Sequence, residues 1–256
     1  MEITSTSNKL VKYADSLKNR SVRQKEKSFL VEGRKLIEEA IKSGFEPYTV
    51  FVNNESKYEF DELKLNIEPV YVPYNIIKKL SRTTTPQGLI AIFKMKDFNE
   101  KKNNLNSFVI LENIQDPGNF GTILRTAEAF GIDGVITVGD TVDIYNPKVL
   151  RGSMGSAFRI LHIHFSNCDE AFDFFKSQNV KVFAGVLSKR AKKITDIDFK
   201  GKIGVAVGNE GNGLTHNFIS KCEYDVYIPM SGKTESLNAA TAAAIMMWEL
   251  YKRRSI

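Results

Sequence analysis

Phe108-Val109-Ile110-Leu111-Glu112-Asn113-Ile114-Gln115-Asp116-Pro117-Gly118-Asn119-Phe120-Gly121-Thr122-Ile123-Leu124-Arg125-Thr126-Ala127 holds an apolar run, a polar loop and the start of a helix in succession. An apolar run this short, bounded by polar residues, reads as a buried strand. The same pattern recurs downstream. Residues 135–138, 160–163, 180–186, 203–207 and 226–228 read as further strands, separated by helical stretches. Such alternation argues for an α/β fold, a mostly parallel sheet with helices on both faces. Ligands of an open parallel sheet bind beyond the carboxyl ends of its strands, so the segments that follow the strands are where chemistry is to be sought.

Upstream lies a smaller α/β unit. It has a helical pattern over residues 34–43 closed by Gly44, short strands at 48–52, 70–72 and 89–93, and a helix start at 76–80. Thr83-Thr84-Thr85-Pro86-Gln87-Gly88 is a turn-rich loop before the last of these strands. Residues 97–106 are polar and Asn-rich and read as a linker, which divides the chain into domains at 1–96 and 107–256. The final helix is read from near Ser236, with Leu237, Ala240, Ala244, Met247 and Tyr251 on one stripe. Its alanines leave room for close helix approach and suit a subunit interface.

The 256 residues are 42% hydrophobic and 26% charged, which is the composition of a globular chain and not of a disordered one. The longest stretch without a charge, residues 236–248, is 13 residues. Spanning a bilayer takes about 18, so no membrane span is expected. The first residues lack the basic and apolar pattern of a secretory signal. Cys168 and Cys222 have no metal-ligand spacing, which fits a reducing cytoplasm and excludes a disulfide framework or a Cys-based zinc site. The net charge is +6. Between Lys9 and Lys35 nine basic residues face three acidic ones, so this segment accounts for the whole excess. It reads either as a solvated helix face or as a surface that contacts nucleic-acid phosphates. Lys189, Arg190, Lys192 and Lys193 read as an exposed loop. His162 and His164 share one face of a strand but lack a nearby third ligand, so an edge position is expected and not a metal site.

Three loops carry the chemistry. In the first, Asn119 is read as a helix cap, with Arg125 six residues on; spacing alone leaves open a capped helix with a merely exposed arginine. The second, Gly208-Asn209-Glu210-Gly211-Asn212-Gly213-Leu214, follows the apolar strand 203–207, and its glycines let backbone amides approach a ligand. Its G-x-x-G-x-G spacing is not that of dinucleotide folds. The third, Ile228-Pro229-Met230-Ser231-Gly232-Lys233-Thr234-Glu235-Ser236-Leu237-Asn238, resembles the tail of a nucleotide-phosphate loop, but that motif needs glycine where Tyr227 stands. An NTPase is therefore excluded, and Ser236 is read as the cap of the last helix.

Together these loops resemble the SpoU (TrmH) family of RNA ribose 2'-O-methyltransferases within the SPOUT superfamily, over about residues 107–251. The basic segment, with Phe29-Leu30-Val31-Glu32-Gly33 and Thr85-Pro86-Gln87-Gly88, resembles the amino-terminal RNA-binding domain of many members, which is similar to kink-turn-binding ribosomal proteins. The resemblance implies S-adenosylmethionine (AdoMet) as methyl donor, no metal, a trefoil-knotted carboxyl region and a homodimer. It places Asn119, Arg125, Glu210, Ser236 and Asn238 in the catalytic set. Gly208, Ile228, Met230 and Leu237 match donor-binding positions, and Arg20, Arg23, Lys25 and Arg34 become the RNA contacts of the basic segment. The extended amino-terminal domain resembles that of ribosome-directed members, so 23S ribosomal RNA is the expected target. The alternatives are a tRNA 2'-O-methyltransferase and a non-catalytic ribosome assembly factor; an NAD-dependent oxidoreductase lacks its dinucleotide fingerprint.

Overall fold

The computed structural model describes residues 1–96, 105–232 and 236–254, which fall into two compact units. The first begins with α1 (Lys9–Ser16), capped by Asn8, whose side chain accepts from the Leu10 N–H at 2.8 Å. Then come α2 (Arg20–Glu26), β1 (Ser28–Glu32), α3 (Arg34–Lys42), β2 (Pro47–Asn53), α4 (Lys57–Asp61), β3 (Val70–Val72), α5 (Tyr74–Leu80) and β4 (Leu89–Lys94). The sheet order is β1-β4-β2-β3, with β4 antiparallel to both neighbours and β3 parallel to β2. Two segments singled out in the sequence meet at one end of it. Glu32 Oε1 accepts from the Ser81 and Thr83 hydroxyls at 2.7 and 2.8 Å, and Gln87 covers Gly33, which sits at φ +90° where only glycine is at ease.

The second unit starts with β5 (Ser107–Glu112), α6 (Pro117–Ala129) and β6 (Gly134–Val138). The chain then returns to the first unit through Asp143–Arg159, which holds α7 (Pro147–Ser153). It resumes with β7 (Leu161–Phe165), α8 (Cys168–Ser177), β8 (Val180–Gly185), β9 (Lys192–Lys193), β10 (Lys202–Val207), α9 (His216–Lys221), β11 (Tyr224–Tyr227) and α10 (Ala239–Arg254). Its seven strands are all parallel, in the order β7-β6-β5-β10-β8-β11-β9. Alternation along β5 explains the layers. Phe108 and Ile110 join the core under α8 and α9. Val109 and Leu111, equally buried, point the other way, toward the face on which α10 packs. Among the described residues no helix is long and apolar enough to cross a membrane.

Several readings change. Arg23 is not available to RNA, because it is 2% exposed in the first unit. Its Nε donates to Asp143 Oδ2 at 2.7 Å, its Nη2 lies 2.6 Å from the same oxygen, and its Nη1 donates to the carbonyls of Leu17 and Lys18. A spacing argument could not find a partner 120 residues away. This pair, with the Phe29 ring 4.3 Å from that of Tyr145, explains why residues 143–159 pack with the first unit although the sequence boundary assigns them to the second domain. Arg34 is held by Glu38 at 2.8 Å and by Glu62, so much of its charge is matched. Of the four basic contacts expected, Arg20 is half-buried and Lys25 exposed. The linker lies outside the described residues except for Leu105 and Asn106. Lys189 and Arg190 lie exposed in a turn as read, with Arg190 paired to Asp225 at 2.6 Å, but Lys192–Lys193 form an edge strand, where lysines discourage further pairing. His162 and His164 do lie on an edge strand; each places a ring nitrogen against the Thr137 hydroxyl, at 2.9 and 3.0 Å.

Removing one partner of a buried ion pair leaves the other charged and desolvated. Arg23→Ala should therefore lower the unfolding free energy by about 3–5 kcal/mol, read by urea denaturation. A loss under about 1 kcal/mol would mean that the pair does not hold the unit together.

Candidate active site

Asp116, not Asn119, caps α6. Its Oδ1 accepts from the Asn119 N–H at 2.8 Å, and Pro117 takes the first helical position, where a missing N–H is harmless. Asn119 thus sits in the first helical turn with its side chain free to leave the helix. The amide nitrogen donates to Glu210 Oε1 at 2.9 Å. Its Oδ1 accepts from Asn238 Nδ2, also at 2.9 Å. Asn238 in turn caps α10: its Oδ1 accepts from the N–H groups of Ala240 and Thr241 at 2.9 and 3.2 Å. The last helix therefore starts at Ala239, and Ser236 is not its cap. Three loops far apart in sequence are joined by one chain of side-chain hydrogen bonds.

Glu210 also accepts from the backbone N–H groups of Gln115 and Asp116, at 3.3 and 3.2 Å. Partial burial pulls its pKa upward, but the Asn119 amide and the backbone donors of Glu210, Gln115 and Asp116 outweigh that pull. The net shift is downward, so the group is an ionised, acceptor-only carboxylate at neutral pH.

Beside this chain of bonds lies a cavity of about 390 Å³. Gly208, Glu210, Ile228, Met230, Ser236 and Leu237, all singled out in the sequence, line it. At Gly208 a Cβ would fall 2.1 Å from the carbonyl carbon of Gly213 and the nitrogen of Leu214, so the tight return of the loop requires glycine there. Sequence reasoning missed Leu187, Ile194 and Met246, which form much of the apolar wall. The rule that points to the loops after β5, β10 and β11 also applies to β8, whose following segment carries lysines and reads as an exposed loop. The volume is in the range of small-molecule sites, and an apolar wall facing a glycine-rich backbone fits a donor with an adenine ring and a polar tail.

Arg125 belongs to neither the hydrogen-bond chain nor the cavity wall. It is exposed on α6, off the three-or-four spacing that would put it on the face of Asn119, and makes no hydrogen bond or ion pair with a described residue. Lys233, Thr234 and Glu235 lie outside the described residues. Among the described residues no group of three or more His, Cys, Asp or Glu is arranged to hold a metal.

Residues 106–248 match the SpoU rRNA Methylase family, and residues 8–91 match the MRM3-like substrate binding domain. The chain is 34% identical to the 23S rRNA (guanosine(2553)-2'-O)-methyltransferase RlmP of Bacillus subtilis (strain 168), over 97% of this chain and 98% of that one. Among solved structures, the AdoMet-bound rRNA methyltransferase from Sinorhizobium meliloti superposes with a TM-score of 0.86 at 29% identity, covering 100% of this chain and 98% of that one. The SpoU methyltransferase AviRb from Streptomyces viridochromogenes, in complex with the cofactor AdoMet, gives 0.87 at 26% identity, covering 97% and 98%. With the polar set, the donor-sized cavity and the full-length likeness in agreement, the chain belongs to the SpoU rRNA Methylase family and is an AdoMet-dependent RNA methyltransferase.

Proposed function

We propose that the chain methylates a ribose 2'-hydroxyl of 23S ribosomal RNA in the cytoplasm. The observation that carries this reading is the bonding of Glu210, Asn119 and Asn238 across three loops at the rim of the donor cavity. The names of the full-length relatives support the ribose hydroxyl and the ribosomal target. When bound, AdoMet supplies a methyl group already activated on a sulfonium. What the protein must add is position: the ribose oxygen in line with that methyl, water excluded, and the hydroxyl proton able to leave.

Gly208, Ile228, Met230 and Leu237 hold the donor. Asn119, Glu210 and Asn238 fix the rim against which the ribose is placed, with Ser236 beside them. Arg125 acts from the substrate side. A guanidinium stays protonated in proteins and is a poor base, but its planar fork of donors suits an RNA phosphate or the oxygen that gains charge as the proton leaves. Its exposure on α6 supports that role.

The domain of residues 1–96 binds RNA in this reading, with Arg20 and Lys25 as phosphate contacts, Arg34 a lesser one and Arg23 none. A second copy of the chain covers the outer face of α10. Trp248 and Tyr251 are 45% and 39% exposed there and cluster with Phe130, an aromatic patch that a lone subunit would leave in water. We also infer the trefoil knot for residues 107–256. It is supported by β10, which lies between β5 and β8, out of chain order, and by second and third loops that line one cavity.

Arg125→Ala should slow single-turnover methylation on the order of 100-fold to 1000-fold, the usual cost of losing a donor to a developing oxyanion. AdoMet affinity, measured by calorimetry, should stay at the wild-type value because Arg125 does not line the cavity. Wild-type turnover in that variant would remove Arg125 from the mechanism. The target is tested by mapping ribose methylation across total RNA from cells with and without the protein. One 23S position should lose its 2'-O-methyl group and regain it with purified enzyme and AdoMet; a lost mark confined to tRNA would overturn the assignment.

A further inference from the structure

Glu112, the last residue of β5, is 4% exposed, and none of the steps above uses it. A carboxylate is costly to bury unless its oxygens are paired. Both oxygens of Glu112 go to a single residue 103 positions later. Oε2 accepts from the Thr215 backbone N–H at 2.7 Å, and Oε1 accepts from the Thr215 hydroxyl at 2.6 Å. That hydroxyl also accepts from the Phe218 N–H at 3.2 Å, which caps α9, so its donor and its acceptor capacity are both in use.

The neighbouring residue holds the other end of the same loop. The Asn113 carbonyl accepts from Asn209 Nδ2 at 2.9 Å. Asn209 Oδ1 accepts from the N–H groups of Gly211 and Asn212, and Asn209 and Gly213 exchange backbone bonds at 3.0 and 2.9 Å. Asn113 itself adopts φ +55°, a left-handed geometry that asparagine tolerates better than most residues. Two consecutive residues at the end of β5 therefore grip the loop 208–214 at its entry and at its exit. Every residue between the grips lines the donor cavity, and Glu210 is the first of them, next to the Asn209 grip.

We propose that Glu112 and Thr215 are a positioning pair, which sets how far the 208–214 loop stands from β5 and thereby fixes both the shape of the donor cavity and the place of the Glu210 carboxylate. The part that concerns Glu210 rests on the proposed role of that residue; the part that concerns the cavity does not.

The test compares Thr215→Val with Thr215→Ser in the full-length protein. Valine keeps the volume and removes the hydroxyl, leaving Glu112 Oε1 buried without its donor; serine keeps the bond. AdoMet affinity by calorimetry and single-turnover methylation of ribosomal RNA at saturating AdoMet are the readouts. The valine variant should bind AdoMet roughly 10-fold more weakly and turn over more slowly by a similar factor, as expected for one orphaned buried acceptor. The serine variant should restore both. A valine variant with wild-type affinity and rate, changed only in melting temperature, would overturn the proposal and leave Glu112 as a fold anchor. Should valine prevent folding, the disrupting variant is Thr215→Ala, which removes the hydroxyl; a weakened AdoMet affinity restored by Thr215→Ser supports the pair, and an unchanged one overturns it. Glu112→Gln serves as a conservative control, since its carbonyl can keep the backbone bond and its amide can face the hydroxyl. Glu210→Ala serves as a control for the reading beneath. Wild-type methylation by that variant would remove the Glu210 role alone, because AdoMet affinity of Thr215→Val still reports on the cavity.

Discussion

The ionised carboxylate of Glu210 can only accept hydrogen bonds, and that restriction passes through the site residue by residue. Because Glu210 accepts, the amide nitrogen of Asn119 must face it, which turns the Asn119 oxygen outward. An outward oxygen calls for a donor, and Asn238 supplies its amide nitrogen. The Asn238 oxygen is then left to cap α10. The direction of each bond follows from the one before it. The backbone N–H groups of Ala240 and Thr241, which can only donate, fix the Asn238 amide from the other end, so the run of bonds is anchored at both ends.

This order depends on the sheet beneath. In a parallel arrangement the loops after β5, β10 and β11 emerge on the same side, so residues near positions 115, 210 and 238 can meet although more than a hundred positions separate the first from the last. Backbone contributes as much as side chain. Gly208 allows the loop to return against its own strand, and Asn209 closes that return by bonding to Gly213. Catalysis by a methyl donor that is already activated asks mainly for such preorganisation, and a network whose bonds have fixed direction is a means of supplying it.

Most strands are legible because short apolar runs between polar turns have few other solutions, and their boundaries fall within a residue or two of the reading; β1 is not among the strands read, and β9 reads as loop because its two lysines carry no apolar signal. Glu210, Asn119 and Asn238 stand out in their loops, and the structure bonds them to one another. Less accessible were features that depend on which residues become neighbours in space. Arg23 looked like its basic neighbours until Asp143 was found beside it. Two helix caps were misread, Asn119 for Asp116 and Ser236 for Asn238, because several capable residues stand in a row and only the three-dimensional network decides which one turns inward. Glu112 drew no attention because a carboxylate at the end of a strand is ordinary until its burial against Thr215 is seen.

Glu210 and Asn238 share no hydrogen bond, and Asn119 bonds to both, so the hydrogen bonds that link them run through Asn119. A double-mutant cycle on Glu210→Gln and Asn238→Ala, read as single-turnover methylation rates at saturating AdoMet and RNA, measures that link directly. Directional coupling predicts an interaction free energy of about 1 kcal/mol or more, with the double variant losing much less than the two single losses combined. Losses that add to within about 0.3 kcal/mol would contradict it and reduce the three residues to independent contacts.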